Sequence, residues 1–161
     1  MENDRLAEKR VLVVDDEADV LDAVEELLSQ CRISKAASFE EGKQLLEKER
    51  FDLAILDIMG VDGYGLLEIA REKGVTALML TAHALSPENI VKSYKGGACY
   101  YIPKEELVNI EIYINDVLEA IEKGKSTWSS WYSRLAQYCE KKFGSQWKEN
   151  DPEFWEKLTY H

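Results

Sequence analysis

A chain of 161 residues and 18.5 kDa has room for one ordinary domain with a short appendage and excludes two full-sized domains. Its 45% hydrophobic and 32% charged residues are the composition of a folded globular protein, not of a disordered one. Twenty Lys and Arg against 31 Asp and Glu leave a net charge of −11, which disfavours broad attraction to nucleic acid or anionic membrane surfaces.

Val11-Leu-Val-Val14 is a short β-branched run that ends in Asp15-Asp16, as expected of a buried parallel strand. Val20, Leu21, Val24, Leu27 and Leu28 then recur at helical spacing. Ile33 to Ala37 reads as a weak strand and Phe39 to Lys48 as a second amphipathic helix. Leu53-Ala-Ile-Leu56 repeats the first strand's pattern and ends in Asp57. A helix is expected over Leu66 to Lys73, a fourth strand over Ala77 to Leu80 ending in Thr81, and a helix opened by Ser86 as cap with Pro87 at its first position. Ala98 to Ile102 is the fifth strand, followed by Pro103-Lys104, and a long helix is expected from Leu107 to Lys123, stopped by Gly124. Strands alternating with helices in this way predict a doubly wound α/β fold, a five-stranded parallel sheet covered on both faces, over residues 1–124.

Residues 125–161 differ in kind. They hold all four tryptophans, Trp128, Trp131, Trp147 and Trp155, and they are close to neutral, so the acidity belongs to the α/β body. Trp128, Trp131, Leu135, Tyr138 and Phe143, with Tyr132 and Cys139 beside them, form a wide apolar stripe at helical spacing. An exposed stripe of this kind would be sticky, so docking on the body or a homodimer interface is expected ahead of a dedicated partner site. The segment is too short and too weakly basic for a DNA-binding domain with its own core. Cys31, Cys99 and Cys139 show neither the number nor the spacing of a disulfide framework or zinc site. No apolar run approaches the roughly 20 residues that span a bilayer, and Met1 to Leu6 lack a secretory pattern, so the expectation is a cytoplasmic protein with no membrane partner.

In an open parallel sheet, ligands bind beyond the carboxyl ends of the strands, where strand order reverses. The common order 2-1-3-4-5 makes the first and third strands neighbours, so Asp15, Asp16 and Asp57 would converge. Three unpaired carboxylates repel one another. A hard divalent cation held by two or three oxygens with retained waters relieves that repulsion, the usual manner of Mg²⁺. Lys104 and Thr81 at the same edge can meet an anion, one as a point charge and the other as a donor. Carboxylates, Mg²⁺, Lys and Thr together suit phosphoryl transfer.

Taken in order, Val11-Leu-Val-Val-Asp-Asp16, Leu53-Ala-Ile-Leu-Asp57, Leu80-Thr-Ala82 and Gly97-Ala-Cys-Tyr-Tyr-Ile-Pro-Lys104 make the sequence resemble the receiver domain of bacterial two-component response regulators, over residues 8–124. The resemblance implies that Asp57 is the phosphoacceptor for a histidine kinase or phosphotransfer protein. It implies that Asp15, Asp16, Asp57 and the Met59 carbonyl hold Mg²⁺, that Lys104 binds a phosphoryl oxygen, and that Thr81 and Tyr101 form the switch. It also implies an output through protein contacts, with a downstream partner or in a homodimer. Two departures stand out. The run Asp57-Ile-Met-Gly-Val-Asp-Gly63 is two residues shorter than the family's usual loop and lacks its proline, and Pro103-Lys104 inverts the usual Lys-Pro order, so a cis bond at Lys104 is not expected. The alternatives are a pseudo-receiver scaffold that no longer accepts phosphate, or an aspartate-nucleophile phosphatase. Such enzymes carry a second Asp two positions on, where Met59 stands here, so the chain is expected not to be a turnover enzyme.

Overall fold

The structure is a computed structural model and describes residues 4–159, so the extreme ends of the two expected segments, 1–3 and 160–161, lie outside the described residues. Five strands, β1 (Arg10–Val14), β2 (Arg32–Ala36), β3 (Leu53–Asp57), β4 (Thr76–Thr81) and β5 (Tyr100–Pro103), pair in parallel in the order β2-β1-β3-β4-β5. The helices between and after them are α1 (Ala18–Leu27), α2 (Phe39–Lys48), α3 (Gly63–Glu72), α4 (Pro87–Lys95), α5 (Ile110–Glu122), α6 (Thr127–Phe143) and α7 (Pro152–Thr159). This is the expected doubly wound, flavodoxin-like sheet with a helical addition at its C-terminal end.

The strand sequences explain their position. Every residue of β3 is buried, as are Val11 to Val14, because helices cover both faces of the sheet and no polar alternation is possible there. Strands β1 and β3 pair Val14 with Leu56, and β3 and β4 pair Asp57 with Leu80. Thr81 lies opposite Pro103 on β5. Asp15, Asp57, Thr81 and Lys104 therefore all emerge at one edge of the sheet.

Helix boundaries follow their capping residues where those are local. α2 keeps its expected bounds, with the Ser38 side chain accepting from the Glu41 amide, and α4 opens at Pro87 with Ser86 as its cap. Two expectations are corrected. The helix expected from Leu66 begins at Gly63, because Asp62, in the left-handed region at φ 51°, accepts from the Gly65 amide and caps a turn that the paired glycines had disguised. The single helix expected from Leu107 is divided: Lys104–Asn109 forms a 3-10 turn and α5 starts at Ile110. There Glu106 Oε1 accepts from Asn109 Nδ2 at 3.2 Å and from the Tyr113 hydroxyl at 2.9 Å, which folds the chain tightly after the strand.

The aromatic stripe docks on the body. Trp128, Trp131, Leu135 and Cys139 are buried where α6 packs against α5 and β5, and α7 closes over α6. Trp128 and Trp131 meet edge to face at 5.1 Å between centroids, Trp131 lies 6.3 Å from Trp155, and Trp155 meets Trp147 at 4.7 Å. Such offset and edge contacts suit ring quadrupoles and add to the burial of large apolar surfaces. Arg134 of α6 forks onto Asp116 of α5, at 2.8 and 3.2 Å. No described helix is long and apolar enough to cross a membrane.

Candidate functional site

The site is built from strand ends. Asp15, which follows β1, is fully buried, and its Oδ1 accepts from the Glu17 amide at 2.8 Å, which fixes the carboxylate at the entrance to α1. Asp57, the last residue of β3, is 5% exposed. Lys104, just beyond β5, is 10% exposed and reaches both, with Nζ 2.9 Å from Asp15 Oδ2, 3.4 Å from Asp57 Oδ2 and 3.8 Å from Glu17 Oε2. One ammonium thus bridges two buried carboxylates. Burial works against its charge, yet Asp15 foremost, then Asp57 and Glu17, outweigh that cost and hold its pKa above the usual lysine value.

Asp57 is pushed up to about 6, first by burial and next by the charge of Asp15, with Asp16 adding to both; Lys104 pulls the other way and only partly offsets them. The pocket carries more negative charge than its lysine can answer. Asp15 Oδ2 is buried with the Lys104 ammonium, 2.9 Å away, as its ion-pair partner. Asp15, Asp16 and Glu17 also offer carboxylate oxygens within 4.8 Å of one another. A buried carboxylate beside further carboxylate oxygens is a donor set that suits a hard cation such as Mg²⁺; the oxygens within that reach of one another come from Asp15, Asp16 and Glu17.

The shortened loop after β3 reaches this cluster by a tight path. Gly60 adopts φ 87°, and a Cβ built on it would lie 2.5 Å from Asp16 Oδ2, so the loop backbone packs directly on that carboxylate. Met59, whose carbonyl was expected to contribute, lies in this same turn with its side chain 51% exposed. Gly63 is packed closer still: a Cβ there would overlap the Asp57 carbonyl oxygen, so α3 starts against the Asp57 backbone.

Thr81 and Tyr101 meet at one residue, Ala84, on its two flanking peptide groups. Thr81, fully buried, accepts the Ala84 amide on Oγ1 at 2.9 Å, which leaves its own hydroxyl proton free to donate. Tyr101 is 1% exposed and donates to the Ala84 carbonyl at 2.8 Å. Tyr101 is thus a buried tyrosine tied to the β4–α4 loop, and the linking residue Ala84 carried no sequence signal. Glu17 was also missed as a neighbour of Lys104: in sequence it reads as an ordinary acidic residue at a helix start. Among the described residues no peptide bond is cis, as the Pro103-Lys104 order led us to expect.

Comparison with known proteins agrees with this geometry. Residues 11–113 match the response regulator receiver domain family. The two-component response regulator ARR10 of Arabidopsis thaliana is 37% identical over 112 residues, 63% of this chain and 20% of that protein. The probable transcriptional regulator ycf27 of Porphyridium aerugineum is 30% identical over 126 residues, 75% of this chain and 52% of its own length. The chain therefore spans a fifth to about half of these relatives. A CheY-like response regulator receiver domain protein from Methanospirillum hungatei JF-1 superposes with a TM-score of 0.65 at 32% identity, over 73% of this chain and 99% of the other. With its sheet order, its acidic strand ends and its family match all in agreement, the chain belongs to the response regulator receiver domain family.

Proposed function

We propose that this protein is a response regulator whose Asp57 accepts a phosphoryl group from a histidine kinase or phosphotransfer protein in a Mg²⁺-dependent reaction, and that it signals through protein contacts. The observation that carries the reading is the Lys104 ammonium bridging buried Asp15 and Asp57 in a pocket with surplus negative charge. An Asp57 oxygen attacks phosphorus, and the new O–P bond forms as the bond to the donor's nitrogen breaks. Mg²⁺, when bound, supplies charge neutralisation at the phosphoryl oxygens. Asp15, Asp16, Asp57 and the Met59 carbonyl would hold it, Lys104 would turn from Asp57 to a phosphoryl oxygen, and Thr81 would donate its free hydroxyl proton to another. With a pKa near 6, Asp57 is mainly ionised at neutral pH and able to attack.

The chain is read as a phosphoacceptor and not as a turnover enzyme, with self-phosphorylation and self-dephosphorylation at most weak. The position two residues after Asp57 holds Met59, an exposed thioether with no acid–base chemistry to assist hydrolysis. Output is read as contact with a downstream protein or a second copy, in the cytoplasm, and the net charge of −11 supports a reading without DNA or membrane binding. The test is intact mass after incubation with Mg²⁺ and acetyl phosphate, on wild type and Asp57→Asn. One added phosphoryl group that needs Mg²⁺ and is lost in the variant is expected. No adduct, with Mg²⁺ binding also absent, would replace this reading with a scaffold.

A further inference from the structure

Helix α6 runs along the outer side of β5, the edge strand, and grips the segment that carries Tyr101 and Lys104. The Trp128 indole Nε1–H donates to the Ala98 carbonyl at 2.7 Å and the Trp131 indole Nε1–H to the Tyr101 carbonyl at 2.8 Å. Four residues further on, Glu105 accepts from the Tyr138 hydroxyl at 2.5 Å and from Lys142 at 3.0 Å. An edge strand has backbone groups that no neighbouring strand satisfies, and a buried carbonyl left without a donor is costly. Here two indoles take the place of a sixth strand. Residues 98–105 are thereby held from before the strand to the residue after Lys104.

From this placement we propose that α6 is a strut for the phosphoryl site: docked, it keeps Tyr101 buried and Lys104 set between Asp15 and Asp57, and phosphorylation in turn tightens its docking. The proposal rests on the phosphoacceptor reading and adds the direction in which the C-terminal segment is coupled to it. The phenol of Tyr101 is tied to the Ala84 carbonyl on its inner side, and Tyr138 and Cys139 of α6 stand near it. With Trp131 holding the same residue's carbonyl and Tyr138 and Cys139 beside its phenol, a docked α6, as proposed, favours the buried Tyr101 over an outward one. Because coupling between two sites is reciprocal, whatever favours the buried arrangement of Tyr101 and Thr81 favours the docked helix.

The test uses the full chain as wild type, Trp131→Phe, and Trp131→Phe combined with Tyr138→Phe; both changes remove a donor, the second keeping its ring and the first leaving a smaller aromatic ring in place of the indole. Two quantities are measured: the initial rate of the Mg²⁺-dependent adduct from acetyl phosphate, and amide hydrogen exchange in 98–105 and 127–143 with and without beryllium fluoride. In the double variant, exchange in 98–105 rises and the rate falls about fivefold at saturating Mg²⁺, the scale of one hydrogen bond. The Mg²⁺ midpoint stays unchanged, since its ligands are untouched, whereas a general loss of structure would move both. In wild type, beryllium fluoride slows exchange across 127–143. An unchanged rate despite faster exchange in 98–105, or faster exchange of α6 with beryllium fluoride, overturns the proposal. If wild type gains no phosphoryl group at all, the phosphoacceptor reading fails and the coupling with it, while exchange in 98–105 still decides whether α6 grips that segment.

Discussion

Removing the charge of Asp57 should stabilise the metal-free protein, by an amount that grows with pH. An aspartate whose pKa rises from 3.8 unfolded to about 6 folded binds more protons in the native state between those values. Stability is then lost as pH climbs through that window, about 3 kcal/mol in all at 1.36 kcal/mol per unit. At pH 5 about 1.4 kcal/mol of this is still retained and by pH 7.5 none is, from the same linkage relation. Asp57→Asn has no such titration. Its other effects, the changed contact with Lys104 and the burial of an amide, do not vary with pH, and every remaining carboxylate is common to both proteins. Urea unfolding in EDTA at pH 5 and pH 7.5 should therefore show the variant gaining about 1.4 kcal/mol on wild type between the two, a midpoint gap of roughly 0.7 M at a typical slope of about 2 kcal/mol per M. Parallel shifts at both pH values would refute the claim that Asp57 is held under electrostatic strain.

Lys104→Met leaves Asp15 and Asp57 buried with no cation and should cost about 3 kcal/mol in EDTA, much of it recovered with millimolar Mg²⁺, as thermal unfolding with and without the ion would show. Gly63→Ala drives a Cβ into the Asp57 carbonyl and should destabilise by about 2 kcal/mol without rescue by Mg²⁺, since the clash is with backbone. Gly60→Ala combines positive φ with a clash on the Asp16 carboxylate, so Mg²⁺ affinity, read by titration calorimetry, should fall more than stability does. Tyr101→Phe strips a donor from the Ala84 carbonyl and should cost about 1–2 kcal/mol in urea unfolding while leaving the Mg²⁺ midpoint in place.

The sheet and its acidic edge were legible because parallel strands buried on both faces must be short apolar runs, and Val11–Val14 and Leu53–Leu56 each end abruptly in Asp. Local capping was legible too, at Ser86-Pro87. What could not be read were features decided across the chain. The start of α5 was misplaced because Lys104–Asn109 looks helical by pattern, while Tyr113, one turn into α5, captures Glu106 and tightens that segment. The aromatic stripe of α6 was visible as a period, but nothing local says that two of its indoles seek the carbonyls of Ala98 and Tyr101. Ala84 and Glu17 were invisible for a related reason. One acts through its backbone N–H and carbonyl and the other through a side chain common at any helix start.

The charges at the strand ends explain why so polar a site can sit inside a close-packed fold. Asp15, Asp16 and Asp57 against Lys104 leave a formal deficit of two positive charges, which a single divalent cation would answer. Without it, burial first and then the charge of Asp15 hold the pKa of Asp57 up, with Lys104 as the cation that both carboxylates share. Replacing the carboxylate of Asp57 by a phosphorylated one, with a charge approaching −2, reopens a deficit of about one. That excess falls on three equivalent oxygens beyond the strand end, where the Lys104 ammonium and the uncommitted hydroxyl proton of Thr81 are the donors at hand. Under the proposed function, such a site would not need a large movement to register phosphorylation: shifting Lys104 and Thr81 onto new oxygens would pull on the two strand ends that carry them, and Thr81 joins through Ala84 and Tyr101 to the part of the sheet on which α6 is seated.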